Sequence, residues 1–515
     1  MKKKLWICLL SSVLFGASSA SHFRIQGQIG VRESQKHLMN WTIKGDVRLD
    51  GDIHSPSKTI FHFGRGRGSV SQKFDIPGLR IVEFSANARF DAADVTARIR
   101  VQCFDARNRV VMNLDQAFDP KKAATIDGAP TGIYFKTQAH SAYLVVSIEK
   151  TASSHGSMTV GSAVVQDFDK DRVEHKPECN LDEYMLPIWR GNTIYNETVL
   201  MLSNHGNPAS SSLLCTPSKI LSVKDSQLKV TYEEGRDYSI NGSALTCTPG
   251  SRINSVKDTD FPKDQYPWWS VAGKHIVVTY EHSDTWKGPI PTFQGGNLAE
   301  TTSKLKAKKP LTVVALGDSI TLGINVSGYR SEPPYMPTWA ELFTGQLAKL
   351  FGNHRIQLYN AGLGGMTALW GEQNAKSVVA SVNPDLVIIA FGMNDFWSTD
   401  AVSFRKCIEG TMRTIRSKRP KAEFILISSI RFDPIYTVEK DYVEHLTSYA
   451  KELQSLAGPG VGYLDMTGLT DYLYKVKSSK DLMSDPMHPD DFLARWYAQS
   501  LVAMLDDRLF GSRAD

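Results

Sequence analysis

The feature that most restricts this chain lies after Pro310. Short apolar runs recur at 311–316, 356–359, 386–391, 424–430 and 461–464, with helix-like stretches between them. A strand apolar on both faces must be covered on both sides, so this alternation predicts βαβ units and a parallel sheet. Five such strands predict a three-layer α/β/α domain over 311–515. In open sheets of this kind ligands meet the carboxyl ends of the strands, and reactive residues are to be sought in the loops that follow them.

A chain of 515 residues is too long for one core, and the rhythm before Pro310 is different. Residues 21–175 alternate or cluster apolar and β-branched residues, as in Val95–Val101 and Ala142–Ile148, with Gly, Asp and Asn between. That pattern predicts an antiparallel, sandwich-like domain. A second β-rich domain is expected over 180–292, with turn signals at Glu234–Tyr238 and Asn241–Gly242. Gly295–Gly296 and four lysines in 293–310 read as a solvated linker.

The first residues carry their own signal. Lys2, Lys3 and Lys4 precede the apolar run Leu5–Ala17 and the small residues Ser18, Ser19 and Ala20. This reads as a cleavable signal peptide over 1–20, the run being shorter than the ~20 residues a bilayer span needs. A secreted or periplasmic protein without a transmembrane anchor is the expectation. The same three lysines supply three of the five units of net charge, so bulk charge gives no case for a nucleic-acid partner. Five cysteines follow the leader with no C-x-x-C pair, which argues against a zinc or redox site. In an oxidising compartment Cys215 and Cys247 are the expected disulfide.

Four segments bear chemistry. The first strand ends in Gly317-Asp318-Ser319, which presents the Ser319 hydroxyl where strand gives way to helix. Taken singly, a serine there is more often an N-cap. The second strand ends in Gly362-Leu363-Gly364-Gly365, whose glycines let the backbone approach a ligand but equally suit a tight turn. The third ends in Gly392-Met393-Asn394-Asp395, where Asn394 can aim its amide at an oxyanion or serve a turn. The last, Asp485-Pro486-Met487-His488, precedes an amphipathic helix beginning near Asp490. There Asp485 can hold the His488 imidazole in the tautomer that accepts a proton.

Together, in this order, the four segments resemble the SGNH hydrolases, also called the GDSL esterase/lipase family, over roughly residues 311–510. The resemblance implies a flavodoxin-like domain and a serine esterase needing neither metal nor cofactor. It implies Ser319 as nucleophile, His488 as general base and Asp485 as its orienting carboxylate. The oxyanion hole would be the N–H groups of Ser319 and Gly365 with the Asn394 side chain. Aromatic residues flank these segments: Tyr329, Tyr335, Trp339, Trp370, Phe396 and Trp397. Trp370 and Trp397 are expected pocket walls, whereas Trp339 reads as helix core.

An exported chain with β-rich accessory domains and an aromatic-walled site suits O-acetylated carbohydrate, with polysaccharide held by the β-rich part. Trp268-Trp269 offers a stacking platform, although packing is its commoner role. A lipase or lysophospholipase of the same fold, and a glycan-binding protein with a vestigial hydrolase domain, are the competing readings.

Overall fold

The computed structural model describes residues 41–50, 60–76, 80–92, 95–118, 131–137, 141–151, 156–167, 175–261, 270–434 and 440–509. The leader over 1–20 and the Trp268-Trp269 pair lie outside the described residues. The chain divides into two compact units, 20–172 and 173–515.

The first unit is β-rich. Its strands are β1 (Thr42–Asp50), β2 (Ile60–Phe74), β3 (Ile81–Phe90), β4 (Ala97–Phe104), β5 (Val110–Ala117), β6 (Thr131–Lys136), β7 (Tyr143–Lys150) and β8 (Met158–Asp167). They join in one antiparallel sheet ordered β5-β4-β7-β2-β8-β3-β6, with β1 on β2. Strand β4 shows why: alternate residues Ala97, Ile99, Val101 and Cys103 are buried while the arginines between them are not. The β-rich, antiparallel character expected of this region is what the structure shows, in a single hydrogen-bonded sheet. Its 15-residue strand β2 pairs with β8 through Ile60–Phe63 and with β7 through Gly68–Phe74.

The second unit starts with nine more strands in two sheets. One runs β14 (Tyr238–Asn241), β15 (Ala244–Cys247), β11 (Ser210–Ser212), β10 (Leu202–Ser203), β16 (Val256–Lys257). The other runs β13 (Thr231–Tyr232), β12 (Pro217–Asp225), β17 (Ile276–His282), β9 (Thr193–Val199). Cys247 belongs to the first of these sheets, whereas the Cys215 N–H donates to Tyr280 Oη of the second. The expected disulfide is therefore absent, and Cys103, Cys179, Cys215, Cys247 and Cys407 are all free thiols.

Next come five parallel strands: β18 (Leu311–Gly317), β19 (Ile356–Asn360), β20 (Leu386–Ala390), β21 (Glu423–Ile427) and β22 (Val461–Leu464). Their order is β19-β18-β20-β21-β22, and each neighbouring pair is parallel. Counted within the sheet this is 2-1-3-4-5, with the switch point between β18 and β20. The apolar runs of the sequence fall on these strands, and in β21 every residue is buried.

After a short helical turn at Leu181–Tyr184, the helices are α1 (Ala299–Lys306), α2 (Ser319–Leu322), α3 (Trp339–Phe351), α4 (Ala368–Asn374), α5 (Ala401–Arg416), α6 (Lys440–Ser455), α7 (Met466–Val476) and α8 (Asp491–Leu505). Helix α1 corrects the reading of 293–310 as a linker. Leu298 and Leu305 are fully buried, and the Glu423 carboxylate accepts the Glu300 and Thr301 N–H groups of its first turn. Lys304, read as solvated, pairs with Asp385 at 2.7 Å.

Helix α8 is buried from Phe492 to Leu505. The sequence predicts a helix with one wet face. That face, Arg495 and Gln499, instead meets the β-rich part of the same unit. Arg495 donates to the carbonyls of Tyr184 (3.1 Å) and Tyr195 (2.6 Å), and Gln499 donates to Tyr184 O at 2.7 Å. A buried guanidinium is tolerated only when its donors are matched in this way. Residues 180–292, expected as a domain of their own, thus fall within the same compact unit as the five-stranded sheet.

Candidate active site

Strand β18 ends at Gly317 because nothing larger fits. A Cβ there would stand 2.1 Å from Thr321 Oγ1 and 2.2 Å from the Ala390 carbonyl of β20. Asp318 then caps α2, its Oδ1 accepting the Ile320 N–H at 2.9 Å. Ser319 opens that helix, 4% exposed. Trp339 is core, as its sequence reading has it, and its indole N–H donates to Ile320 O at 2.9 Å, bracing the turn.

The second segment is tied onto the first. Asn360 donates from its amide to Thr321 O at 2.9 Å, and the Leu363 N–H donates to Gly317 O at 3.0 Å. Leu363 to Met366 then form a turn in which Gly365 has φ +74°, the left-handed conformation a type II turn requires at that place. A Cβ on Gly364 would lie 3.9 Å from Ser319 Cβ, so this turn passes directly over the serine. Asn394 ties the third segment to the second: its amide donates to Met366 O at 3.0 Å. That bond uses one of two amide N–H groups and fixes the plane of the other. Next to it Asp395 caps α4 through the Ala368 N–H at 2.9 Å, and burial pushes its carboxyl up to about 7.

The fourth segment closes the arrangement across 169 residues of sequence. His488 Nε2 lies 2.8 Å from Ser319 Oγ, and Nδ1 lies 2.8 Å from Asp485 Oδ2. A carboxylate can only accept, so Nδ1 carries the ring proton and Nε2 is left to accept from the serine hydroxyl. Asp485 Oδ1 also takes the Met487 and His488 N–H groups, each at 2.9 Å. Burial alone would push His488 down. The Asp485 carboxylate, its hydrogen bond and the Asp318 carboxylate overcome that and hold it above its ordinary 6.5. Asp318 itself is pushed up to about 6 by burial.

The structure therefore brings together Ser319, Asp485 and His488, with Gly364, Gly365 and Asn394 joined in the loops over Ser319. Trp370, on α4, and Trp397, after Asn394, are half-buried, and Trp397 packs on the buried Phe396 at 4.4 Å between ring centroids. Tyr335 stacks on His175 at 4.2 Å. One residue of the site escaped the sequence reading: Asn325, whose amide donates to Asp485 Oδ2 at 2.6 Å. Only its place six residues after Ser319 marks it in the sequence. Chemically the arrangement is a hydroxyl, a base and an orienting carboxylate in hydrogen-bonded series, which is what activation of a serine for acyl transfer requires.

Residues 315–493 match the model of the GDSL-like lipase/acylhydrolase family. The chain thus carries a GDSL-like lipase/acylhydrolase domain over these residues. Among solved structures it is similar to a two-domain esterase active on acetylated mannans, at 21% identity over 44% of this chain and 56% of that one, with a TM-score of 0.35. It is also similar to an acetyl xylan esterase (21% identity, 38% of this chain, 100% of that one, TM-score 0.31). A third is a family two carbohydrate esterase from Cellvibrio japonicus (12% identity, 92% and 98%, TM-score 0.27). The chain spans little more than half the length of the mannan-active esterase. No curated protein matches it in sequence.

Proposed function

We propose that this protein is an exported esterase that removes O-acetyl groups from carbohydrate, with Ser319 as nucleophile, His488 as general base and Asp485 as its orienting group. The series Ser319 Oγ to His488 Nε2 at 2.8 Å and His488 Nδ1 to Asp485 Oδ2 at 2.8 Å carries the reading. Ser319 attacks the ester carbonyl as its proton passes to Nε2. The oxyanion is met by the N–H groups of Ser319 and Gly365 and by the second Asn394 amide hydrogen. Collapse expels the sugar hydroxyl, which takes the proton from His488, and leaves an acetyl-serine. Water, deprotonated by His488, then attacks that ester, and acetate leaves as the proton returns to Ser319.

The reading takes 311–515 as a three-layer domain, 1–20 as a leader removed on export, and the β-rich residues before 293 as the part that holds polysaccharide. Trp370 and Trp397 beside the second and third segments support a sugar-sized pocket. The test is hydrolysis of p-nitrophenyl acetate, butyrate and palmitate by the mature chain, followed by acetate release from acetylated xylan and mannan. Turnover concentrated on acetate, with release from a glycan, is expected. Preference for palmitate would replace this reading with a lipase.

The pH dependence has a definite sign. His488 serves as base only when neutral, and its pKa is held above 6.5. The rate is therefore lost as pH falls through a value above 6.5 and reaches its plateau on the alkaline side. Asp318→Asn keeps an acceptor for the Ile320 N–H but removes one of the two charges that raise His488. The acid limb of its kcat/KM profile should lie at lower pH than that of the wild type. A limb that stays put or moves up would refute this account of His488.

A further inference from the structure

We propose that Asn325 is a positioning residue for the Ser319–His488–Asp485 series, acting through Asp485. The proposal rests on the reading of His488 as the base. Asp485 is held by groups of its own loop on one side: the Met487 and His488 N–H groups and His488 Nδ1. Asn325 is the donor from the other side. Its amide reaches Oδ2 at 2.6 Å across 160 residues of sequence, and Oδ2 is the oxygen that also faces Nδ1 at 2.8 Å. The segment that carries the nucleophile is thereby fastened to the loop that carries the base.

Asn325 is itself held in place. Its φ is +74°, a left-handed conformation that Asn adopts more readily than other residues with a Cβ. Its carbonyl accepts from Arg330 Nη1 at 2.7 Å, and the Arg330 guanidinium pairs with Glu332 at 2.7 Å. An amide held from behind in this way sets the rotation of the Asp485 carboxylate, and so the plane of the imidazole. It also spreads the Asp485 charge without cancelling it, which limits how far that charge raises His488. The charged groups facing His488 are Asp485 from its own loop and Asp318 from the nucleophile turn. Asp318 in turn faces Asp395 and Tyr497.

The experiment uses the full mature chain with Asn325→Gly, which keeps the left-handed backbone free of strain, and Asn325→Asp, which keeps the side-chain shape. His488 is followed by NMR of histidine-labelled protein, its signal assigned by its loss in His488→Gln, beside steady-state hydrolysis of p-nitrophenyl acetate. In Asn325→Gly the expected results are a kcat about 10- to 100-fold lower, as for other orienting partners, an unchanged KM, and His488 titrating at higher pH than in the wild type. Asn325→Asp should move that titration further up, since a second carboxylate then faces Asp485. A residue that merely supported the loop would leave the His488 titration where it is, and that result in both variants overturns the proposal. So does an unchanged kcat. If the wild type and Ser319→Ala proved equally inert, the esterase reading would fall while the titration still decided the role of Asn325.

Discussion

Ser319→Ala is expected to abolish ester hydrolysis, lowering kcat on p-nitrophenyl acetate by about 10⁶-fold, as when the nucleophile of such a series is removed elsewhere. The geometry says why so much rests on one oxygen. Ser319 Oγ is the atom that His488 Nε2 meets at 2.8 Å, and removing it leaves the base with no hydroxyl to deprotonate. The turn around it does not depend on that oxygen. The Asp318 cap, the Trp339 N–H to Ile320 O bond and the Leu363 N–H to Gly317 O bond all survive. The variant should therefore melt with the wild type, and His488→Ala should lose a similar factor with no further loss in the double variant. Residual turnover of even a hundredth of the wild-type rate, in a folded variant, would remove Ser319 from the role assigned to it.

The second large effect concerns stability. Lys477, Glu197 and Asp481 are fully buried, with Lys477 Nζ 2.6 Å from Glu197 Oε1 and 3.1 Å from Asp481 Oδ2. Burial pushes the ammonium down, but the two carboxylates outweigh it and hold Lys477 above its ordinary value, so it stays charged. Tyr280 Oη donates to Glu197 at 2.6 Å, and the Leu200 N–H donates to Asp481 at 2.6 Å. Lys477→Met leaves two buried carboxylates facing each other without a cation. The expected cost is about 3–5 kcal/mol, the usual result when one partner of a buried pair is removed. It is read as a lowered guanidinium midpoint by tryptophan fluorescence. Adding Glu197→Gln and Asp481→Asn should recover part of the loss, because the uncompensated charge is then gone. A loss below about 1 kcal/mol, in the range of exposed pairs, would mean that the cluster is screened by water.

The five parallel strands were legible because burial on both faces makes them apolar throughout, and the polar residues that follow them stand out against that background. Gly317, Gly362, Asn394 and the Asp485–His488 pair could be picked out on those terms. What stayed hidden is long-range. Arg495 and Gln499 are polar residues of a helix expected to be amphipathic, and nothing local reveals the carbonyls of Tyr184 and Tyr195 that receive them. The lysines of 304–309 masked a helix whose Leu298 and Leu305 are buried. Asn325 belongs to the same class. A single amide in a loop carries no periodicity, and its partner lies 160 residues away.

The burial of α8 against the β-rich strands has a consequence for how such a chain is cut and recombined. The compact unit that carries the five-stranded sheet also takes in strands β9–β17. A fragment starting at Leu311 would strip Arg495 and Gln499 of their acceptors. It would also expose Lys480 and Ser484, whose carbonyls are held by His275 and by the Val271 N–H. Those two residues frame the loop that ends in His488. A gene fusion or domain exchange that moved the esterase chemistry would have to move residues 175–509 as one cassette. The portion that looks like an accessory in sequence travels with it as part of its frame.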